Sequence, residues 1–540
     1  MNGSPESPST HPDLPNGNHV PEPTFRDPAG QLHLSGSHAL RRIQPSAVEE
    51  TKAFLSSPLR AALEQSGDLI PSAIASSAIH SCVAPGEYWL EHPRIDPITY
   101  PWEWTTAQWR VAAELTLRVA SKAISAGWTL KDATPLNILF SGPKPILVDA
   151  LSFERRDPHS NVWLAYGQFV RTFLLPLAAA KYLNWPLQAT LLRRDGYEPS
   201  EIYKALRPWQ RMNPTLLDVV TLATILERPG NGKPAQQKPR SSGDPELAAH
   251  ILQKRIARLG RQIANVAGSQ SRSQWSEYTQ SAKHYQPSDA ADKQEFVRNV
   301  TQRCGPARVL DIGANTGTYS LIAADAGASV VAIDADAAAL EALWTAAARQ
   351  SKPITTVVAN IARPTPAAGW RNREQLSLLD RLTGKFDLVL MLAVIHHLIL
   401  REQLPLGHIA DLAASLTTVW LVLEWGLPLI PCTRNGCAAA MIFTAISLKP
   451  ICGRRFRPIS PFPTETSLAT AAFSSSSSEF PAPVKPFTLR PDRHDETDRP
   501  GIWLLSHRPS AQLHRSHLLD RRFPDALSFA ANKDRTRSDR

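Results

Sequence analysis

Between residues 307 and 425 the chain repeats one pattern. Short runs of aliphatic and β-branched residues, ARVLDI (307–312), SVVAID (329–334), ITTVVA (354–359), FDLVLMLAV (386–394) and TVWLVLEW (418–425), are separated by stretches with helical spacing, among them the Ala-rich segments 336–349 and 408–416. A run that is apolar at successive positions presents both faces to a core, and strands of that kind separated by helices specify a parallel sheet covered on both sides. The segment is therefore predicted to be a doubly wound α/β domain. Its crevice should lie beyond the carboxyl ends of the strands, where the strand order reverses.

This domain cannot account for the whole chain. At 540 residues the length exceeds what one core organises. Residues 1–35 are rich in Pro and Ser without apolar period and read as a disordered leader; residues 36–228 carry helix-like and strand-like patterns and form an accessory domain of α+β type. The stretch 229–246, PGNGKPAQQKPRSSGDPE, has little to bury and many helix breakers, so it reads as a linker to the α/β domain at 247–425. The net charge is +10, yet residues 426–540 hold 17 Lys and Arg against 10 Asp and Glu, which leaves the body nearly neutral. A basic tail attracts polyanions without specificity, so no specific nucleic-acid partner is expected. No apolar run approaches the roughly 18 residues of a membrane span, and MNGSPESPST lacks the features of a signal peptide. The expectation is a cytoplasmic protein without a membrane partner. Five cysteines with neither CxxC nor Cys/His ligand spacing argue against a disulfide framework and against a zinc site, so no metal is assigned.

The chemistry concentrates in VLDIGANTGTYS, residues 309–320. A strand ends near Asp311, Gly313 and Gly317 bracket a tight turn, and a helix follows from about Thr318. Glycine at such a turn lets the backbone bend sharply and a ligand approach without a Cβ in the way. Asp334 ends the next strand, where a carboxylate can accept two hydrogen bonds from a ribose diol. A dinucleotide site would call for G-x-G-x-x-G, whereas this chain has G-A-N-T-G. The spacing D-x-G-x-x-x-G resembles the first motif of class I S-adenosylmethionine (SAM)-dependent methyltransferases, which implies a Rossmann-like fold, SAM as cofactor, and a cofactor turn made of Asp311, Gly313, Asn315 and Gly317.

Two further segments, ANIARPTPAAGW (359–370) and FDLVLMLAVIHHL (386–398), together with WSEYTQSAKHY (275–285) and Lys293 upstream, resemble a bacterial methyltransferase family related to the nodulation protein NoeA. The resemblance implies that Asn360 borders the adenine and that Tyr285 lids the cofactor. His396 and His397 follow the fourth strand on the rim of the sheet. A neutral imidazole there can remove a proton from an attacking hydroxyl or amine; alternatively, one ring satisfies backbone groups and the other packs beneath the cofactor. The predicted function is methyl transfer to an acceptor that neither charge nor motif identifies. A non-catalytic nucleoside-binding or regulatory protein is the alternative.

The accessory domain holds a second constellation. In WTLKDATPLNILFSGPKPILVDALSF (128–153), Asp132 precedes Asn137 by five residues and Asp149 follows twelve later. Protein-kinase-like folds use Asp-x4-Asn, a strand hairpin and a second Asp to face an acceptor hydroxyl and hold magnesium. Residues 88–104 supply strands and a hinge for such a fold, and residues 106–126 the helix ahead of the loop. Against phosphoryl transfer stand the lack of a Gly-rich phosphate loop, Asp149-Ala-Leu in place of Asp-Phe-Gly, and no strand lysine, for which Arg41 or Arg42 is a weak stand-in. Two readings remain open: a small-molecule phosphotransferase, and a structural turn capped by Asp132 and Asn137. The aromatics from Trp163 to Phe173 recur every three or four residues and are expected to pack along one helical face. After Trp425 the strand and helix pattern fails. Residues 426–540 read as a divergent, largely disordered basic tail or as the product of a frame shift near 426, which would leave the fifth strand as an unprotected edge.

Overall fold

The structure, a computed structural model, describes residues 26–76, 83, 86–226, 243–268, 287–426 and 441–447. The first strand begins inside the stretch expected to be a leader. β1 (Gly30–Ser35) and β2 (His38–Ile43) pair as a hairpin in which Ser35 faces His38 across Gly36 and Ser37. Gly36 sits at φ +54°, the left-handed conformation that two-residue hairpin turns demand. Two helices follow, Val48–Leu55 and Pro58–Ser66; the second starts on Ser57, whose side chain accepts from the Arg60 amide, and stops at left-handed Gly67. The chain then returns to the sheet as β3 (Ala73–Ile74) and β4 (Tyr88–Pro93), giving the antiparallel order β1-β2-β4-β3.

The helix expected over 106–126 is present as Thr106–Ser125, opened by a reciprocal capping box between Thr105 and Gln108. Beyond it, β5 (Trp128–Leu130) pairs with β8 (Phe153–Arg155), and between them β6 (Ile138–Ser141) and β7 (Lys144–Leu147) form a second hairpin. Trp104, Trp109, Trp128, Phe140 and Phe153 fill the core of this half. Trp163, Phe169 and Phe173 join them in the same core, so the aromatic periodicity serves packing. The helix Pro245–Val266 corrects one expected boundary. Its apolar stripe, Leu252, Ile256, Leu259 and Ile263, packs into the core of the accessory domain and not into that of the α/β domain.

The second half is the doubly wound sheet. β9 (Arg308–Ile312), β10 (Ser329–Asp334), β11 (Ile354–Val358), β12 (Phe386–Met391) and β13 (Thr417–Gly426) are mutually parallel where they pair, and the sheet order is β11-β10-β9-β12-β13-β14. Alternation along the strands divides the core into two layers. Val309, Val330 and Leu388 face one set of helices, while Leu310, Val331 and Val389 face the other. β14 (Met441–Ser447) pairs antiparallel with β13 from Trp420 to Gly426, so the fifth strand is covered on that side and is not the edge of the sheet. The run MIFTAIS has the β-branched and aromatic content of a strand, but it lies in a stretch without other periodicity. No helix among the described residues is long and apolar enough to cross a membrane.

The two halves belong to one compact unit, joined by charges that neither sequence neighbourhood announces. Glu103, in a short turn ahead of the helix Thr106–Ser125, accepts from both terminal nitrogens of Arg381, at 3.0 and 2.5 Å; the side chains are 0% and 3% exposed. Asp96 receives Arg308 at 3.0 Å and Lys385 at 2.5 Å. The Ala107 amide donates to Glu341 at 2.9 Å, and the Leu376 amide donates to the Tyr100 hydroxyl at 3.1 Å.

Candidate functional site

The reversal of strand order falls between β9 and β12, and the chain leaving β9 makes the turn foreseen from the sequence. Gly313, Asn315 and Gly317 take φ of +78°, +50° and +83°, values open to glycine and, among other residues, chiefly to asparagine. Space imposes the same choice. A Cβ at Gly313 would lie 2.0 Å from Cγ2 of Val394, on the loop after β12, and one at Gly317 would lie 2.1 Å from Leu343. The amides of Gly313 and Ala314 donate to the Ile333 carbonyl at 2.8 and 3.1 Å, which ties the turn to the end of β10.

Asp334 stands at that end. Its Oδ2 accepts from the Asn315 amide and its Oδ1 from the Asp336 amide, both at 2.8 Å. A carboxylate offers about four lone-pair directions, so acceptor capacity remains beside the backbone amides. Burial, with the neighbouring charge of Asp336, raises its pKa above the usual carboxylate value despite those two amides. Asp311 lies deeper on β9, fully buried, and its Oδ2 accepts from the Ser320 hydroxyl at 2.6 Å. Burial, reinforced by the charge of Asp334, pushes its pKa up to about 6. Among the described residues no cation contacts this buried carboxylate, an environment that suits a cationic ligand.

Asn360 follows β11, beside Asp334: the Ala359 amide donates to the Asp334 carbonyl at 2.9 Å. The Asn360 Oδ1 accepts from the Ala362 amide at 2.9 Å, an Asx turn that leaves its amide group to donate. His396 and His397 lie on the helix Ile395–Leu400 after β12, exposed, with ring centroids 4.1 Å apart. Desolvation pushes the pKa of both below the usual histidine value, which favours the neutral ring. Tyr285 lies outside the described residues.

Sequence reasoning missed one element of this crest. Glu424, near the end of β13, forms a buried ion pair with Lys293 of the helix Pro287–Cys304; the side chains are 4% and 8% exposed. The Lys293 ammonium also lies 5.1 Å from the ring centroid of Tyr319, and the charges of both partners act on His396. Lys293 entered the sequence reading only through the resemblance, and the signal for its partner was a carboxylate inside the apolar run TVWLVLEW, a residue type almost never buried unless paired.

The second constellation is brought together in the other half. Asn137 donates to Ser152 Oγ at 3.2 Å and to Asp149 Oδ2 at 3.5 Å. Asp132 accepts from Gln168 at 3.3 Å, and its pKa is raised by burial, with the charges of Asp149 and Asp27 adding to the effect. Among the described residues no group of three or more His, Cys, Asp or Glu side chains is placed to hold a metal ion.

The parallel sheet with its glycine turn and acidic second strand is a Rossmann-like arrangement, and residues 310–419 within it match the family model described as a methyltransferase domain. More particularly, the chain resembles nodulation protein NoeA of Rhizobium meliloti (strain 1021), with 27% identity over 395 residues, 72% of this chain and 80% of that protein. Solved structures with partial likeness include the bifunctional kinase-methyltransferase WbdD, at 22% identity and TM-score 0.21 over 26% of this chain and 29% of that one. Magnesium protoporphyrin IX methyltransferase from Synechocystis PCC 6803 with bound SAM matches at 19% identity and TM-score 0.20, over 30% of this chain and 67% of that one. The chain thus spans less than a third of WbdD.

Proposed function

We propose that this protein transfers a methyl group from SAM to an acceptor seated beside His396 and His397. The observation that carries the reading is the glycine turn after β9 facing Asp334, with the buried Asp311 carboxylate beneath it. Asp334 accepts from the ribose hydroxyls, Asn360 meets the adenine edge, and Asp311 faces the cationic amino-acid part of the donor. When bound, SAM supplies a methyl group on a positive sulfonium, which leaves as a neutral thioether. The residues of this chain hold the two reactants in line and exclude water. Neutral His396 or His397 takes the proton that the acceptor's hydroxyl or amine must lose. Glu424 and Lys293 keep a compensated charge pair behind that acceptor position. The strand order of the first half, with helices between β2 and β3 and a hairpin ahead of Asp149, supports a protein-kinase-like arrangement there.

The test is tritium transfer from labelled SAM into fractionated extract, alongside calorimetry with S-adenosylhomocysteine. Binding with transfer is expected. Binding without transfer would leave a nucleoside-binding module, and no binding removes the reading altogether. In the same assay His396→Ala/His397→Ala should retain S-adenosylhomocysteine affinity but lose roughly 10²- to 10⁴-fold in transfer rate, the usual worth of a positioned base. The wild-type rate should stay level as pH falls until it is below the ordinary histidine pKa, because both rings titrate lower than that value.

Asp311 gives an independent signature. Its carboxyl pKa is higher in the folded state than in the unfolded one, so its charged form is penalised in the fold. Stability is fully present below the unfolded pKa near 3.8 and falls as pH rises towards about 6. That difference corresponds to about 3 kcal/mol. Asp311→Asn should therefore raise the melting temperature at pH 8 and leave it nearly unchanged at pH 4, while weakening SAM binding. An equal effect at both pH values would show that burial does not penalise the charge.

A further inference from the structure

The kinase-like reading of the first half implies magnesium held by Asn137 and Asp149, and the side chains do not fit that role. Arg41, on β2, is 7% exposed. Its Nη1 donates to Asp149 Oδ1 at 2.5 Å and its Nη2 donates to Asp27 Oδ2 at 2.6 Å. The remaining directions around Asp149 are filled as well. The Leu151 amide donates to Oδ1 at 3.1 Å, and Oδ2 accepts from the Ser152 hydroxyl and, at 3.5 Å, from Asn137 Nδ2. Four donors meet the four lone-pair directions of a carboxylate. Asn137 turns its NH2 group towards Asp149, as a negative neighbour requires, whereas ligating a metal would need its oxygen.

The neighbouring charges bear on the same position. The charges of Asp149 and Asp27 act on Asp132, and nearby His92, its pKa lowered to about 4 by burial, is neutral at pH 7. Arg41 is thus the cation placed directly against two of the three carboxylates. Arginine suits the position because its planar fork stays charged when buried and bridges two acceptors at once.

We propose that the Arg41 guanidinium takes the place of the divalent cation at Asp149, so that the first half of this protein is a metal-free and nucleotide-independent shell that mounts the methyltransferase domain. The proposal rests on the kinase-like reading of that half and is independent of methyl transfer. Asp149 needs no metal to be satisfied, since Arg41, Asn137, Leu151 and Ser152 together meet its acceptor directions. The shell meets the second half through Glu103, Asp96 and the Ala107 amide at the start of the helix Thr106–Ser125.

The experiment uses the full chain, with Mn2+ and Mn2+-ATP as probes, read by calorimetry and by the electron paramagnetic resonance of free Mn2+. Wild type should give no binding heat up to about 1 mM of either probe and no shift in melting temperature. Arg41→Met should be strongly destabilised, take up about one Mn2+ per chain, and regain several degrees of melting temperature on doing so. If that variant does not fold, Arg41→Met/Asp27→Asn removes one carboxylate together with the cation and is read in the same way. Saturable Mn2+-ATP binding by wild type would keep the kinase-like reading and overturn the replacement. Failure of the folded variants to take up Mn2+ would overturn the replacement and remove its basis in a kinase-like site. None of these outcomes bears on S-adenosylhomocysteine binding, which reports on the other half.

Discussion

Asp334→Ala is expected to weaken S-adenosylhomocysteine binding by roughly 100-fold or more, because two charge-assisted hydrogen bonds to a ribose diol are worth about 1.5 to 3 kcal/mol each. The carboxylate sits at the end of β10, held by the amides of Asn315 and Asp336, so the substitution also frees two donors of the turn. Asp334→Asn separates the two effects. It keeps an acceptor oxygen for one of the two amides but lacks the charge and sets an NH2 against the other, so it should recover part of the melting temperature with little of the affinity. Calorimetry on both variants, with their melts as controls, reads the outcome. Near wild-type affinity in Asp334→Ala would move the nucleoside away from this turn and remove the geometry on which the methyl-transfer reading stands.

Glu103→Ala should cost about 3 to 5 kcal/mol, the usual penalty for stranding one member of a buried ion pair. Glu103 accepts from Arg381 through both oxygens and from the Tyr100 amide at 2.9 Å. Without it the Arg381 guanidinium stays buried with backbone carbonyls as its remaining partners, those of Ile98 and Ser377. Replacing both members, as Glu103→Met/Arg381→Met, should regain much of the loss, since the charge is removed together with its partner. Glu49→Ala is the matched surface control. Its pair with Lys52 is half or more exposed, and its loss should cost well under about 1 kcal/mol. Urea midpoints of the four proteins decide the matter. A small loss in Glu103→Ala would mean that water reaches Arg381 and that the halves are not locked there.

The second half was legible because of how a doubly wound sheet buries its strands. The strands of the run from β9 to β13 are covered on both faces, so they show in the sequence as short stretches dominated by aliphatic and β-branched residues, and Ser329–Asp334 has the same bounds in both descriptions. The turn was legible for a steric reason: Gly313 and Gly317 stand where a Cβ would strike Val394 and Leu343. Asp132, Asn137 and Asp149 were found by spacing, but spacing is silent about charge partners. Nothing in HALRRI indicates that Arg41, and not Arg42, points inward to Asp149 and Asp27. The helix Pro245–Val266 was placed in the wrong core for a similar reason, since an amphipathic stripe states that a face is buried without naming what buries it.

What the residues alone determined is therefore local: the parallel strands of the second half, the left-handed turn between Asp311 and Thr318, the acidic end of β10 and the long capped helix of the first half. Each follows from a period, a steric exclusion or a hydrogen bond reaching only a few positions along the chain. What only the tertiary structure decided is which buried charges meet. Arg41 and Asp149, Glu103 and Arg381, and Lys293 and Glu424 are separated by 108, 278 and 131 positions, and a buried charge is tolerated only where folding delivers its counter-ion.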